Sequence, residues 1–404
     1  MTKLSSPLEG NAAERVAALT PENPYLSSGG KPRLLIVGAG MMGREHLRVS
    51  QILGWADVQG IVDPDGGSLE WACSDWRLLT DAPLTIYRDL SEACLDDVVD
   101  AIVIATPNHT HWDVLHAVAV SHKPVLLEKP MATTLADAMD IVNLARDYPT
   151  VIQLGMQYRF KAQYVDALQA VAAKSTLGQV RTVAMSEYRP PFLDKVDQWN
   201  KFTRNSGGTL VEKCCHYFDL INVFAQSRPR KVYASGGQAV NFLDFEWQGE
   251  PSDIDDHAMV IIDYDNGVRA SFTLNMFCQE LYEELVVVGE RGRLVASEQA
   301  SFQPDTSSKA ELLVEVPEHP AYRGVSVGYP DWIEASGHYG ATFFEHIAFN
   351  LQLTGQAADA ATPGQALWSL IVASAAQHSM QTGREVDVGA FCDANGIGDF
   401  YEGR

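Results

Sequence analysis

An apolar run, Arg33-Leu34-Leu35-Ile36-Val37, leads without a spacer into Gly38-Ala39-Gly40-Met41-Met42-Gly43, and a helical pattern then runs from Arg44 to about Leu53. Few folds place glycines in that order between a strand and a helix. The first permits a tight turn, the second lets backbone approach a pyrophosphate, and the third lets helix and strand pack closely. The free N–H groups at the helix start then receive phosphate charge. The pattern predicts the opening βα unit of a dinucleotide-binding domain, with Gly38, Gly40, Met41, Met42 and Gly43 against the ligand.

The same alternation continues. A strand over Val58 to Val62 ends in Asp63, at the distance where an acidic side chain hydrogen-bonds an adenosine ribose 2′-hydroxyl. A 2′-phosphate would be repelled there, and Pro64-Asp65 supplies no arginine to relieve it. NAD is therefore expected over NADP; the plain alternative is that Asp63 caps a turn. Asp100 to Ala105 reads as a buried strand ending in Thr106-Pro107-Asn108, with a helix from about Thr110 to Ser121. Pro124 to Glu128 reads as another, ending in Glu128-Lys129-Pro130. A helix over Leu135 to Arg146, with Thr133 or Thr134 as cap, and a strand over Val151 to Leu154 complete the series. Repeated βα units imply a parallel sheet, hence an α/β Rossmann domain over about 31–155.

Lys129 falls at the carboxyl edge of that sheet, where open α/β folds bind ligands. Pro130 cannot extend the ladder and biases Lys129 towards an extended backbone. A lysine held there can bind a substrate oxygen and shuttle its proton; the bland reading is a solvated strand end.

After about residue 156 the texture changes. A helix near Gln163 to Ala173 precedes strand-like segments at Gln179–Tyr188, Lys231–Ala234, His257–Tyr264, Val268–Met276, Leu285–Val288 and Leu312–Val316. Asp265-Asn266-Gly267 is a hairpin signal between two of them. Residues 156–404 are thus expected to form an α+β domain with a mostly antiparallel sheet. Helices at Thr342–Leu353 and Pro363–Gln381 either both cover that sheet, or the first returns to the Rossmann domain.

Composition narrows the partners. A net charge of −22 argues against nucleic acid or an anionic membrane. Six scattered cysteines suit reduced thiols in a cytoplasm better than disulfides or zinc. Residues 1–30 read as a polar arm with one short candidate helix, Glu9 to Leu19, and no stretch approaches a membrane span.

A second constellation runs from Gly207-Gly208 through Glu212-Lys213-Cys214-Cys215-His216 to Asp219. On a helix, Glu212 and His216 share a face, and a carboxylate beside an imidazole can orient a general base. His216 and Asp219 could also meet. A structural helix with a satisfied histidine is an equal reading, and no further ligands at fitting spacing suggest a metal.

Together these motifs resemble the glucose–fructose oxidoreductase/inositol dehydrogenase/MocA family. The shared pattern is Gly38 to Gly43 after a strand, Ala105-Thr106-Pro107-Asn108 with His111, Glu128-Lys129-Pro130, and the Gly-Gly…His-x-x-Asp run, over about Arg33 to Val388. The resemblance implies a Rossmann domain plus an open-sheet domain that covers the nicotinamide and helps build a homo-oligomer, dimer or tetramer. It implies a sugar, polyol or cyclitol substrate, with Lys129 as active-site lysine and His216 as catalytic histidine. Thr106, Pro107, Asn108, His111 and Glu128 would join the cofactor site. Glu212 stands where many members carry Asp, and Cys214 where glycine is common. The expected activity is NAD-dependent oxidation of a secondary alcohol. Redox-neutral glycoside cleavage or epimerisation with retained NAD is the alternative, and a non-catalytic nicotinamide-responsive protein the third. Tyr158, Arg159, Tyr188, Trp199 and Arg204 are candidate substrate contacts. Arg189, Lys195, Lys201 and Arg204 face only Asp194 and Asp197 in their segment, which hints at an anionic sugar or simply a solvated loop. The chemistry of His338 and Tyr339 would suit the cleft, but the sequence does not place them.

Overall fold

The structure, a computed structural model, describes residues 20–26, 30–173, 176–301, 308–317 and 325–403; the candidate helix Glu9 to Leu19 lies outside them. The apolar runs of the first third become β1 (Arg33–Val37), β2 (Asp57–Val62), β3 (Thr85–Tyr87), β4 (Ala101–Ile104), β5 (Val125–Glu128) and β6 (Ile152–Gly155). They form one sheet in the order β3-β2-β1-β4-β5-β6, every neighbouring pair parallel. Helices α1 (Met41–Leu53), α2 (Gly66–Leu79), α3 (Leu90–Leu95), α4 (His111–Ala119) and α5 (Leu135–Asp147) make the crossovers. Strand order reverses between β1 and β4, and this switch point is where an open α/β sheet binds its ligand. The glycine loop and Thr106-Pro107 lie there, with Lys129 one strand further on. Thr134, rather than Thr133, caps α5, its side chain accepting from Asp137 N–H.

The second half opens with α6 (Ala162–Ala172), β7 (Val180–Tyr188), α7 (Thr203–Ser206), α8 (Thr209–Glu212), α9 (Cys215–Ala225) and β8 (Pro229–Gly237). A small hairpin, β9 (Glu246–Trp247) and β10 (Glu250–Pro251), stands apart. Long strands follow: β11 (His257–Tyr264), β12 (Arg269–Asn275), β13 (Leu281–Gly289), β14 (Gly292–Ala300), β15 (Lys309–Glu315) and the short β16 (Val325–Ser326). With β17 (Val386–Asp387) they build a nine-stranded sheet in the order β16-β15-β14-β13-β7-β12-β11-β8-β17. Only the β7–β12 pair is parallel. Asp265-Asn266-Gly267 does turn β11 into β12, with Gly267 at φ +86° as a tight turn demands.

Burial alternates along these strands. One face carries Val260, Ile262, Phe272, Leu274, Leu285 and Val287 into the core beneath α9. The other leaves Tyr233, Met259, Ile261 and Tyr282 exposed. The last helices are α10 (Asp331–Glu334), α11 (Ala341–Leu353), α12 (Pro363–Thr382), α13 (Val388–Ala394) and α14 (Gly398–Glu402). Of the two readings of the late helices, the structure selects a return to the Rossmann domain. Phe349 of α11 packs into the cluster of Leu34, Ile36, Val103 and Leu126. Helix α12 spans both halves, packing against α5 as well as α9 and β8. One apolar cluster runs from Leu127 and Leu154 through to Phe218 and Phe272, so the halves share a core. No described helix is long and apolar enough to cross a membrane.

Candidate active site

The nucleotide end is a backbone cradle. Gly38 sits at φ +96°, and a Cβ there would meet the Ala105 carbonyl oxygen at 2.6 Å. A Cβ on Gly43 would lie 1.9 Å from the Gly38 oxygen, whereas one on Gly40 would point into open space. Gly40 caps α1 without a side-chain hydrogen bond, which leaves the helix-start N–H groups for a ligand, and Met41 beside it is 46% exposed. These features fit a dinucleotide pyrophosphate. The Asp63 carboxylate closes the cradle, accepting from Ala39 N–H at 2.6 Å and Asp65 N–H at 2.7 Å.

Other motif residues brace the cradle. His111 is fully buried, with its ring nitrogens 2.8 Å from the Pro130 oxygen and 3.0 Å from the Thr106 oxygen, so it ties the ends of β4 and β5 together. The Asn108 amide is also spent within the protein, donating to Glu212 and to the Ser206 oxygen. Glu128 is buried: its carboxylate takes the Lys129 N–H at 3.0 Å and lies 3.0 Å from His46 Nε2. His46 Nδ1 in turn lies 2.8 Å from His346 Nε2. His46, Glu128 and Glu345 bring donor atoms within 4.8 Å of one another, and neither Glu345 oxygen has a hydrogen-bond partner among the described residues. Burial, with Glu128 and Glu45 nearby, pushes the Glu345 carboxyl well above its usual range, favouring the neutral acid. No sequence spacing announces this cluster, because three distant elements supply it.

At Lys129 the expected geometry needs correction. Glu212 ends α8, His216 lies in α9, and a turn at Lys213-Cys214 separates them. The two side chains therefore do not share a helical face. Lys129 Nζ donates to the Glu212 carbonyl at 2.8 Å, taking the acceptor that a continuous helix would give to the His216 N–H. The Glu212 carboxylate faces Asn108, Lys195 Nζ at 3.1 Å and Lys129 Nζ at 4.0 Å. Burial would raise its pKa, but Lys129, Lys195 and the Asn108 hydrogen bond prevail and hold it at about 2. Burial likewise opposes charge on Lys129, yet Glu212 leads the groups that shift it upward, and the ammonium persists.

His216 is buried against Tyr158, ring centroids 4.1 Å apart and planes within 5° of parallel. Its Nδ1 has no hydrogen-bond partner among the described residues, and Asp219 goes elsewhere. Burial, then the charges of Lys129, Lys213, His338 and Lys161, press its pKa well below the ordinary imidazole value. A neutral imidazole thus stands near a charged lysine. Tyr158 is fixed from two sides: Lys213 Nζ donates to its hydroxyl at 2.6 Å, and Lys161 Nζ lies 4.2 Å from the ring centroid. Lys161 itself is buried between Glu283 and Glu298, at 2.6 and 2.5 Å.

The remaining candidates divide. Trp199 reaches the rim, its ring under Lys195 Nζ at 4.2 Å. Arg159 points away into a bidentate pair with Asp219 at 2.6 and 2.7 Å and donates to Gln365. Arg204 is exposed and paired with Glu250. Tyr188 lies on the outer side of β7 beside Tyr282; strand alternation instead turns Glu187 inward, 3.2 Å from Lys213 Nζ. Arg189 pairs with Glu187, Lys195 with Glu212, and Lys201 Nζ donates to the Phe192 oxygen at 2.7 Å. With Arg204 on Glu250, each of the four cations of that segment has a protein partner.

A Rossmann cradle, a lysine at the sheet edge and a buried histidine from a second sheet domain define a nicotinamide-dependent oxidoreductase architecture. Residues 33–156 match the oxidoreductase family, NAD-binding Rossmann fold, and residues 173–388 match that family's C-terminal alpha/beta domain. The chain belongs to the Gfo/Idh/MocA oxidoreductase family. It is similar to the rhizopine catabolism protein MocA of Rhizobium meliloti, 27% identical over 198 residues, 49% of this chain and 58% of that protein. It is also similar to myo-inositol 2-dehydrogenase of Thermotoga maritima, 26% identical over 213 residues, 52% of this chain and 60% of that protein. Both alignments span less than two thirds of the relative's length. Among solved structures, levoglucosan dehydrogenase in complex with NADH and levoglucosan shares the fold with a TM-score of 0.73 at 17% identity, over 89% of this chain and 100% of that one. GenD2 from gentamicin A biosynthesis, in complex with NAD, gives 0.69 at 22% identity over 88% and 96%.

Proposed function

We propose that this protein oxidises a secondary alcohol of a sugar, glycoside or cyclitol with NAD. The observation that carries the reading is Lys129 at the carboxyl edge of the Rossmann sheet, its Nζ donating to the Glu212 carbonyl at 2.8 Å, with His216 four residues further along buried against Tyr158. Gly38 to Gly43 and Asp63 hold the dinucleotide, which when bound supplies the hydride acceptor. Lys129 holds the reacting oxygen and stabilises negative charge as the hydroxyl proton leaves. His216, neutral at physiological pH, takes that proton. Tyr158 fixes the imidazole plane. Glu212 keeps Lys129 charged and in place, a role different from orienting the histidine. Asp63 favours NAD over NADP by repelling a 2′-phosphate. The relatives named for inositol and levoglucosan dehydrogenation support the substrate class.

The test is near-ultraviolet absorbance of purified protein with NAD or NADP against neutral sugars, glycosides and inositols, with product analysis on the same samples. Sustained growth of reduced nicotinamide on a polyol is expected. Product without that growth would replace the reading with redox-neutral chemistry through a retained cofactor. Cofactor binding without turnover on any alcohol would favour a regulatory role. The exposed face bearing Tyr233, Met259, Ile261 and Tyr282 supports a homo-oligomer; a monomer in light scattering would refute it.

A further inference from the structure

Three buried groups meet where the two halves of the chain join. His46 comes from α1, Glu128 from the end of β5 and Glu345 from α11, with exposures of 0%, 3% and 0%. One donor atom from each lies within 4.8 Å of the others. His46 Nε2 is already 3.0 Å from Glu128 Oε1. Both Glu345 oxygens lack a hydrogen-bond partner among the described residues. A carboxyl group buried with neither oxygen satisfied is costly and points to a ligand between the three.

Charge points the same way. Glu45, the neighbouring carboxylate on α1, is compensated: it lies 2.7 Å from His338 Nδ1, accepts from Thr342 Oγ1 at 2.6 Å and faces Arg48 at 4.0 Å. Among the described residues no lysine or arginine forms an ion pair with Glu128 or Glu345. Two buried carboxylates this close repel when both are ionised, and a divalent cation between them neutralises both. One imidazole and two carboxylates make a nitrogen–oxygen donor set that suits zinc. A four-coordinate zinc holds its donors about 3.4 Å apart, so an adjustment of about 1 Å by the Glu345 side chain completes the set. The outer support is in place as well. His46 Nδ1 lies 2.8 Å from His346 Nε2, the kind of contact that fixes the ring of a metal-bound histidine.

We propose that His46, Glu128 and Glu345 form a buried zinc site that fastens α11 to the Rossmann sheet. The ion takes His46 Nε2, one Glu128 oxygen and the Glu345 carboxylate, whose second oxygen fills the fourth position. On binding, the ion sheds its water, and any protons that the three donors hold leave for solvent. Two carboxylates and one dication leave the site without net charge. All three donors are buried, so no substrate reaches the ion and its role is structural. It braces the strand end that carries Lys129, because the Glu128 carboxylate also accepts the Lys129 N–H at 3.0 Å. The inference stands apart from the dehydrogenase reading and needs no turnover.

The test uses the full-length protein, dialysed against a chelator and then reloaded with zinc. Elemental analysis of the wild type is expected to find one zinc per chain, and added zinc should raise the thermal midpoint by a few degrees. Glu345→Gln removes a ligand charge at nearly constant volume and should bind zinc at least about tenfold more weakly. Cobalt in place of zinc gives a readout that needs no variant: visible d–d absorption of a four-coordinate site, without a thiolate charge-transfer band. A wild type that retains no stoichiometric zinc and whose midpoint does not move would overturn the site. Equal zinc affinity in folded Glu345→Gln, or a thiolate band in the cobalt-loaded wild type, would overturn it too, because the ion would then sit elsewhere.

Discussion

Replacing Glu212 with Gln removes one charge with little change of shape. The drop in its pKa from an ordinary 4.5 to about 2 corresponds to about 3 kcal/mol of folding free energy, at about 1.4 kcal/mol per pKa unit. The source is local: Lys129, Lys195 and the Asn108 amide all favour the charged form against the cost of burial. Because the folded-state pKa is depressed, the contribution is fully present above about pH 4.5 and lost as pH falls towards about 2. Glutamine cannot supply it at any pH. Equilibrium urea unfolding at pH 7 should therefore show Glu212→Gln less stable by about 3 kcal/mol, and the gap should shrink to roughly half near pH 3. A gap below about 1 kcal/mol at pH 7, or one indifferent to pH, would refute the claim that Glu212 is a buried counter-charge. The variant should also lose turnover, since burial alone disfavours the charged form of Lys129.

Lys129→Met should cut kcat by about 10²–10³-fold with NAD affinity by fluorescence titration nearly intact; equal turnover would sink its assignment. The acid limb of kcat for alcohol oxidation should lie below pH 6.5, because His216 stays neutral as pH falls through the ordinary imidazole range and is lost as a base only when it finally protonates. A limb above pH 6.5 in stopped-flow profiles would remove it as the base. Asp63→Ala gives up a charged acceptor and should weaken NAD binding about tenfold or more by calorimetry; unchanged affinity would return Asp63 to a loop-bracing role.

Local chemistry made the Rossmann half easy to read. Glycines between a strand and a helix, and a proline just after Lys129, act through their own backbones, so their consequences appear within a few residues. Strands β11 and β12 were legible for the same reason, their hairpin turn being written in Asp-Asn-Gly. Strand β14 was not, because it buries Glu298, and a buried carboxylate interrupts the apolar alternation. The distant Lys161 and Gln163, which both donate to it, make it acceptable there. The break between Glu212 and His216 was hidden likewise, since the Lys129 ammonium that captures the Glu212 carbonyl arrives from another strand. Arg159 and Arg204 read as candidate substrate contacts in the sequence because Asp219 and Glu250, their partners, become neighbours only in the folded chain. Glu45 with His338, and His46 with His346, join residues too far apart for any periodicity to reveal.

Helix α11 also bears on how the protein is made. Phe349 closes over Leu34, Ile36, Val103 and Leu126, all of which leave the ribosome long before it does. Domains generally fold from the N-terminus as they emerge. The nucleotide-binding half must then wait with one apolar face uncovered while the whole second sheet is synthesised. Nascent chains stalled before residue 341 should be captured by hydrophobic-binding chaperones, and chains released past residue 353 should escape them. The late helix makes completion of translation, rather than completion of the first domain, the point at which the nucleotide-binding half becomes sealed.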